Sequence, residues 1–166
     1  MTQAEGAGHM ENLKGIIADH RFLEGLNKTY LEKIVQCASA ADFSAGKFIF
    51  RQGEPAENFY LLTKGRVTVG LDSPEKGSLL VETLDAGAVL GWSWLVPPYK
   101  WRFNALATSA THAVAVNGAK LRALCEADQA FGYEIMKRFS NVISERLEMA
   151  NLQILDLSAL KREVKV

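Results

Sequence analysis

The densest chemistry in the chain lies between Gly91 and Ala105: Gly91, Trp92, Ser93, Trp94 and Leu95 open the stretch, and Trp101, Arg102, Phe103, Asn104 and Ala105 close it. Five of the chain's 15 aromatic residues, Trp92, Trp94, Tyr99, Trp101 and Phe103, fall within 12 positions, and all three tryptophans are among them. Rings at this density either build a ligand site or plug a cavity, and any buried indole needs an acceptor for its N–H. Lys100 and Arg102 are the cations of the segment. An arginine fork matches the oxygens of an anion, and Asn104, two residues on and expected on the same strand face, adds a neutral donor. Ser93 is placed to cap a short helix through its hydroxyl, leaving free amides for an oxyanion.

Other chemistries lack support. His9, His20 and His112 are too scattered for a metal centre, and neither a nucleophile elbow nor a glycine-rich triphosphate loop occurs. No catalytic activity is expected. Lys plus Arg number 19 and Asp plus Glu also 19, so the formal charge is zero and no global field draws a polyanion or a membrane surface. Cys37 and Cys125 sit in apolar stretches, as buried free thiols do, which fits a reducing, cytoplasmic setting. Residues 1–10 lack both the basic stretch and the apolar core of a signal peptide and read as a flexible leader; no apolar run is long enough for a membrane span.

The elements that position the segment follow from periodicity. At 166 residues and 48% hydrophobic, the chain suits one domain, taken as 11–166. From Glu11 to Ala41, Leu13, Ile16, Ile17, Leu26, Tyr30, Leu31, Ile34 and Val35 recur at helical spacing, predicting two amphipathic helices broken near Asp19 to Gly25, the second capped by Asn27. Phe22 and Leu23 plug the core between them. Short β-rich runs follow at Lys47 to Phe50, Asn58 to Leu62, Arg66 to Leu71, Ser78 to Leu84, Arg102 to Thr108 and Thr111 to Val116, cornered by glycines. Asn117 then caps a short helix and Asp128 a long one reaching about Leu157, with Gly132 as a flexible point. Met136, Ile143, Leu147, Ala150, Ile154 and Leu157 keep a seven-residue repeat. The part before Leu147 is expected to pack on its own domain; beyond it, the stripe suits a homodimer.

This order, helices then a glycine-cornered β-roll then a short and a long helix, resembles that of cyclic nucleotide-binding domains. The local pattern Phe43, Gly46, Ile49, Phe50, Gln52, Gly53, Glu54, Phe59, Tyr60, Leu62, Gly65 and Val67 is similar to that family's opening strands, and the likeness extends from Leu13 to Leu157. It resembles the sensory half of the bacterial catabolite activator family. The resemblance implies an α+β fold with an antiparallel, jelly-roll-like β-roll, and a phosphate-binding cassette. In that cassette a glutamate accepts from the ribose hydroxyl and an arginine holds the cyclic phosphate. Matched to Gly91 and Ala107 without gaps, this sequence has Trp92 in place of the glutamate and Trp101 in place of the arginine. A shift of one residue brings in Arg102 instead, which only a bulge or a longer loop through Pro97 and Pro98 can aim inward.

The resulting expectation is a regulatory module without catalysis, signalling through its C-terminal helices, with a small anionic or nucleotide-like ligand and no certain cofactor. A homodimer through the long helix is expected and a protein partner is possible; because the chain stops soon after that helix, no direct DNA binding is expected. The alternatives are a true sensor of cyclic AMP or cyclic GMP working through the altered cassette, and a ligand-free protein-interaction adaptor.

Overall fold

The computed structural model describes residues 12–73 and 77–163, so the expected leader at 1–10 lies outside the described residues. Helix α1 spans residues 12–19, a single 3-10 turn covers Arg21–Leu23, and α2 runs Lys28–Val35. Asn27 starts α2 as expected, its side-chain oxygen accepting from the Tyr30 amide at 2.9 Å. The expected extension to Ala41 does not form. Ala38–Phe43 is strand β1, paired antiparallel with the last strand from Ala38↔Val116 to Phe43↔Thr111. The reason is tertiary: α2 ends as the Cys37 carbonyl accepts from the Asn117 amide at 2.8 Å, and small residues such as Ala38, Ser39 and Ala40 follow whichever partner is offered.

The remaining strands are β2 Phe48–Phe50, β3 Asn58–Lys64, β4 Arg66–Ser73, β5 Gly77–Asp85, β6 Val89–Leu90, β7 Asn104–Ala107 and β8 Thr111–Asn117. They form two four-stranded sheets of order β1-β8-β3-β6 and β2-β7-β4-β5, with every pairing antiparallel. This is the expected jelly-roll-like β-roll. Strand β3 is central because both its faces are covered: Phe59 and Leu61 face the helices, Tyr60 and Leu62 the inside of the roll. Hence its unbroken apolar run. Gly65 makes the reversal into β4 at φ +92°, where a Cβ would lie 2.5 Å from the Ala110 carbonyl oxygen.

Helix α3, Gly118–Ala127, begins at Asn117, whose side chain accepts from the Lys120 amide at 2.9 Å. Helix α4, Gln129–Glu163, begins at Asp128, which accepts from the Phe131 amide at 3.0 Å and from Lys33 Nζ at 2.6 Å. Helix α4 therefore overruns its expected end at Leu157, itself within the helix but with its side chain outside the described residues. Its body-facing stripe is Phe131, Ile135, Phe139 and Val142. Met136 and Ile143, expected on that face, point away from it and are exposed together with Tyr133 at 72% and Leu147 at 61%. Met136, Ile143, Leu147, Ala150 and Ile154 of the seven-residue repeat thus lie along the outer side of α4. Gly132 is not a loose point: a Cβ there would sit 2.8 Å from the Cys125 carbonyl oxygen, so glycine lets α4 pack closely on α3. Among the described residues, no helix is long and apolar enough to cross a membrane.

Candidate functional site

After β6 the chain turns at Gly91, φ +87°, and residues 91–99 run as turns and bends closed by Leu95 N to Trp92 O and Tyr99 N to Val96 O, both 3.1 Å. The short helix that Ser93 was expected to cap does not form. Pro97 and Pro98 remove two consecutive amide donors, and each turn closes without propagating. Ser93 is buried on the wall of a cavity instead. Tyr99 holds φ +55°, a conformation costly for a residue with a side chain. What supports it comes from α3. The Arg122 guanidinium lies 4.0 Å above the Tyr99 ring, and Arg122 Nη1 donates to the Trp94 carbonyl.

The three tryptophans take different directions. Trp94, 1% exposed, enters the core between the roll and the helices, stacked on Phe59 at 5.1 Å and edge-on to Phe139 at 5.3 Å. Leu95 packs against the same core. The acceptor expected for a buried indole is not there for Trp94, whose Nε1 is buried without a hydrogen-bond partner. Trp101 goes the other way, into the roll. It is 5% exposed and lies parallel to Phe50, ring centroids 3.6 Å and planes 7° apart. Its backbone is clamped to the Gly53–Glu54 turn by Trp101 N to Glu54 O and Gly53 N to Trp101 O, both 2.9 Å. Gly91 makes room for the ring, since a Cβ there would meet Trp101 Cη2 and Cζ3 at 2.6 Å. Trp92 is half-buried, packed on the helical core on one side and lining the cavity on the other.

That cavity holds about 40 Å³ and opens to solvent, with Phe50, Trp101, Trp92, Phe103, Val69 and Leu90 among its walls. Three charged side chains line it: Glu82, Arg102 and Arg146. Arg102 is exposed at a bend that precedes β7, so the strand-face pairing expected between it and Asn104 does not exist. Asn104 is buried as a brace, accepting from the Gln52 amide at 2.8 Å and donating to Asp72 Oδ2 at 2.7 Å. Ala105 is fully buried in β7. Arg146 reaches down from α4: its Nε lies 3.4 Å from Glu82 Oε2 and its Nη2 donates to the Val89 carbonyl. Burial pulls the guanidinium below its ordinary pKa, against the opposing charge of Glu82. Among the described residues, no group of three His, Cys, Asp or Glu is arranged to hold a metal ion.

The sequence reading missed Arg122, Arg146, Glu82 and the stacking role of Phe50. For Arg146 a signal was present. It continues the spacing of Ile135, Phe139 and Val142, and a cation in phase with a buried stripe has to find a partner inside.

A rolled pair of antiparallel sheets, a turn-rich segment walling a small cavity, and two following helices that reach back into that segment define a domain of the β-roll class. Residues 41–128 match the family model described as cyclic nucleotide-binding domain, and the chain belongs to that family. It is 23% identical over 142 residues to the CRP-like cAMP-activated global transcriptional regulator of Mycobacterium tuberculosis, covering 86% of this chain and 62% of that protein. The chain thus spans under two thirds of that regulator's length. Among solved structures, one from Geobacter metallireducens described as a cyclic nucleotide-binding protein has TM-score 0.70 and 31% identity, covering 82% of this chain and 96% of that one. A cyclic nucleotide-binding domain from Methylobacillus flagellatus has TM-score 0.74 at 17% identity, covering 90% and 84%.

Proposed function

We propose that this chain is a non-enzymatic regulatory module whose ligand cassette is remodelled from ionic to aromatic, and that it signals through α3 and α4 to a second copy of itself. One observation carries the reading. Trp101, which stands where the family resemblance calls for the phosphate-binding arginine, is buried face to face with Phe50. Trp92, in the glutamate's place, offers no acceptor for a ribose hydroxyl. Two charge-assisted hydrogen bonds at about 1.5 to 3 kcal/mol each amount to about two to four orders of magnitude in affinity. The mycobacterial relative is cAMP-activated by its description; the same response is not expected here.

The signalling route is supported by two guanidinium groups. Arg122 ties α3 to the segment through Trp94 and Tyr99, and Arg146 ties α4 to β5 and β6. A ligand that favours one arrangement of the segment therefore biases the helices. For the homodimer, the support is the outer side of α4, where Ile143, Leu147 and Ala150 are exposed on a helix of 35 residues. Cys37 and Cys125 are unbridged, and burial raises both thiols, Cys125 to about 11, which suits the reducing cytoplasm.

A second reading, a ligand-free adaptor, is favoured by the small volume, about 40 Å³, left beside the Trp101 ring. Titration with cyclic AMP and cyclic GMP, followed by tryptophan fluorescence, tests the remodelled cassette. No change up to millimolar nucleotide is expected, and a saturable change at micromolar nucleotide overturns the reading.

A further inference from the structure

Strand β5 ends its sheet, pairing among the described residues with β4 alone, and it sets Leu79, Leu80 and Val81 in solvent at 42%, 67% and 37% exposure. An edge strand with an apolar run in water is a surface ready for another chain. The run arises at a bulge: Val69 pairs with Glu82 and Gly70 with Leu80, so Val81 is the extra residue. Gly70 permits the bulge, since a Cβ there would lie 2.6 Å from the Leu79 carbonyl oxygen. The bulge also lets two successive residues, Val81 and Glu82, wall the same cavity. This stretch of β5 adjoins α4 directly, through the 3.4 Å contact of Glu82 with Arg146, the residue before Leu147 of the helix seam. Apolar strand and apolar seam are thus neighbours on the surface.

We infer that β5 of each protomer packs on α4 of a second copy, so that the homodimer is closed by strand–helix contacts as well as by the helix seam. The inference rests on the homodimer reading and names the rest of its interface. Size is the first reason: a stable interface takes about 20 to 30 residues a side, and the exposed seam of Ile143, Leu147 and Ala150 supplies a small part of that. Direction is the second. Leu147 and Ala150 lie beyond Arg146, whereas the early turns of the seam include Tyr133 and Ser140, so a parallel pair sets like against like. The third is the helical wheel. The body-facing stripe of Phe131, Ile135, Phe139 and Val142 lies about a quarter turn to one side of the seam, and Leu155, 64% exposed, lies about a quarter turn to the other. In a parallel two-fold pair, the flank opposite a helix's own body is the flank turned toward the partner's roll. Leu155 and β5 are therefore the two apolar surfaces that such a pair brings face to face. The bulge that presents Leu80 also shapes the cavity wall, so each copy steadies one side of the other's cavity.

Sedimentation equilibrium of the full chain, with circular dichroism to confirm the fold of each variant, tests this. The unaltered protein is expected to dimerise, and Leu147→Glu in the seam to weaken the dimer. Leu80→Glu and Leu155→Lys, both at exposed positions, are each expected to weaken it at least about tenfold. The double variant Leu80→Glu/Leu155→Lys sets each glutamate against the partner's lysine, and its dimer is expected to be several-fold tighter than the two single losses combined would leave it. A protein that stays monomeric at every loading concentration overturns the homodimer reading, and this inference with it. A dimer that responds to Leu147→Glu but not to Leu80→Glu, or single losses that simply add in the double variant, overturns the strand–helix contact alone and leaves the helix seam standing.

Discussion

Phe50 and Trp101 lie ring on ring, 3.6 Å between centroids and 7° between planes, one from β2 and the other from the segment before β7. Both belong to the apolar cluster inside the roll that also holds Tyr60, Leu62 and Leu90. The pair makes this part of the segment a piece of hydrophobic core, and the proposed exchange of an ionic for an aromatic cassette rests on it.

Trp101→Ala removes a buried indole and leaves Phe50 unstacked, so it is expected to cost about 3 to 5 kcal/mol in stability. Urea denaturation followed by circular dichroism reads the loss. Arg102→Ala, one residue on but exposed, is expected to stay within about 0.5 kcal/mol of the unaltered protein. Equal losses for the two would contradict the assignment of Trp101 as the inward residue.

Gly91→Ala is expected to be harmful for two separate reasons. Its φ of +87° disfavours any side chain, and the new Cβ would meet the Trp101 ring at 2.6 Å. A loss of at least about 1 to 3 kcal/mol is expected. Combining Gly91→Ala with Trp101→Leu should recover the steric part but not the backbone part, so the double-mutant cycle is expected to be non-additive.

Arg122→Ala should loosen the segment without unfolding the roll. It removes the donor to the Trp94 carbonyl and the cation above Tyr99. Faster hydrogen exchange confined to residues 92–100 and the adjoining end of α3 is expected, with unchanged protection in β3 and β8. Uniform loss of protection across the domain would assign Arg122 to general stability instead.

His20 gives the fold a pH dependence of known sign. Its ring is buried, with Nε2 3.3 Å from the Leu62 carbonyl and Nδ1 accepting from the Phe22 amide at 3.3 Å, so the neutral form fits both contacts. Burial lowers its pKa from 6.5, outweighing the Leu62 carbonyl. The unfolded chain therefore takes up the proton first. The stabilisation is complete above pH 6.5, the unfolded value, and is lost as the pH falls through the lower folded value. Denaturation free energies measured between pH 8 and pH 5 (about neutral to mildly acid, bracketing the histidine range) should fall more steeply for the unaltered protein than for His20→Asn.

Much of the roll was legible because its strands are built from alternating or doubly apolar runs with glycine corners, as in Asn58–Lys64 followed by Gly65. The caps at Asn27, Asn117 and Asp128 were legible too, since a short polar side chain before an apolar stripe has one economical use. Strand β1 was not, because Ala38, Ser39 and Ala40 carry no period and take their conformation from β8. At the site, the sequence drew attention to Trp92 and Trp101 as the residues matched to the charged positions, with Arg102 as the alternative, but not to which way each tryptophan turns. That depends on Gly91 and Gly118 leaving room for the Trp101 and Trp94 rings. Nor did it bring Arg122 and Arg146 to the segment, because those contacts span 28 and 57 residues and arise only when the helices fold back on the roll.

The account turns on whether aromatic packing has displaced the ionic grip on a cyclic phosphate, and calorimetric titration of cyclic AMP at low salt measures this directly. The unaltered protein is expected to give no binding heat up to millimolar nucleotide, while Trp92→Glu/Trp101→Arg, which restores both charged groups, is expected to gain measurable affinity. Micromolar binding by the unaltered protein, weakening as salt is raised, would contradict it.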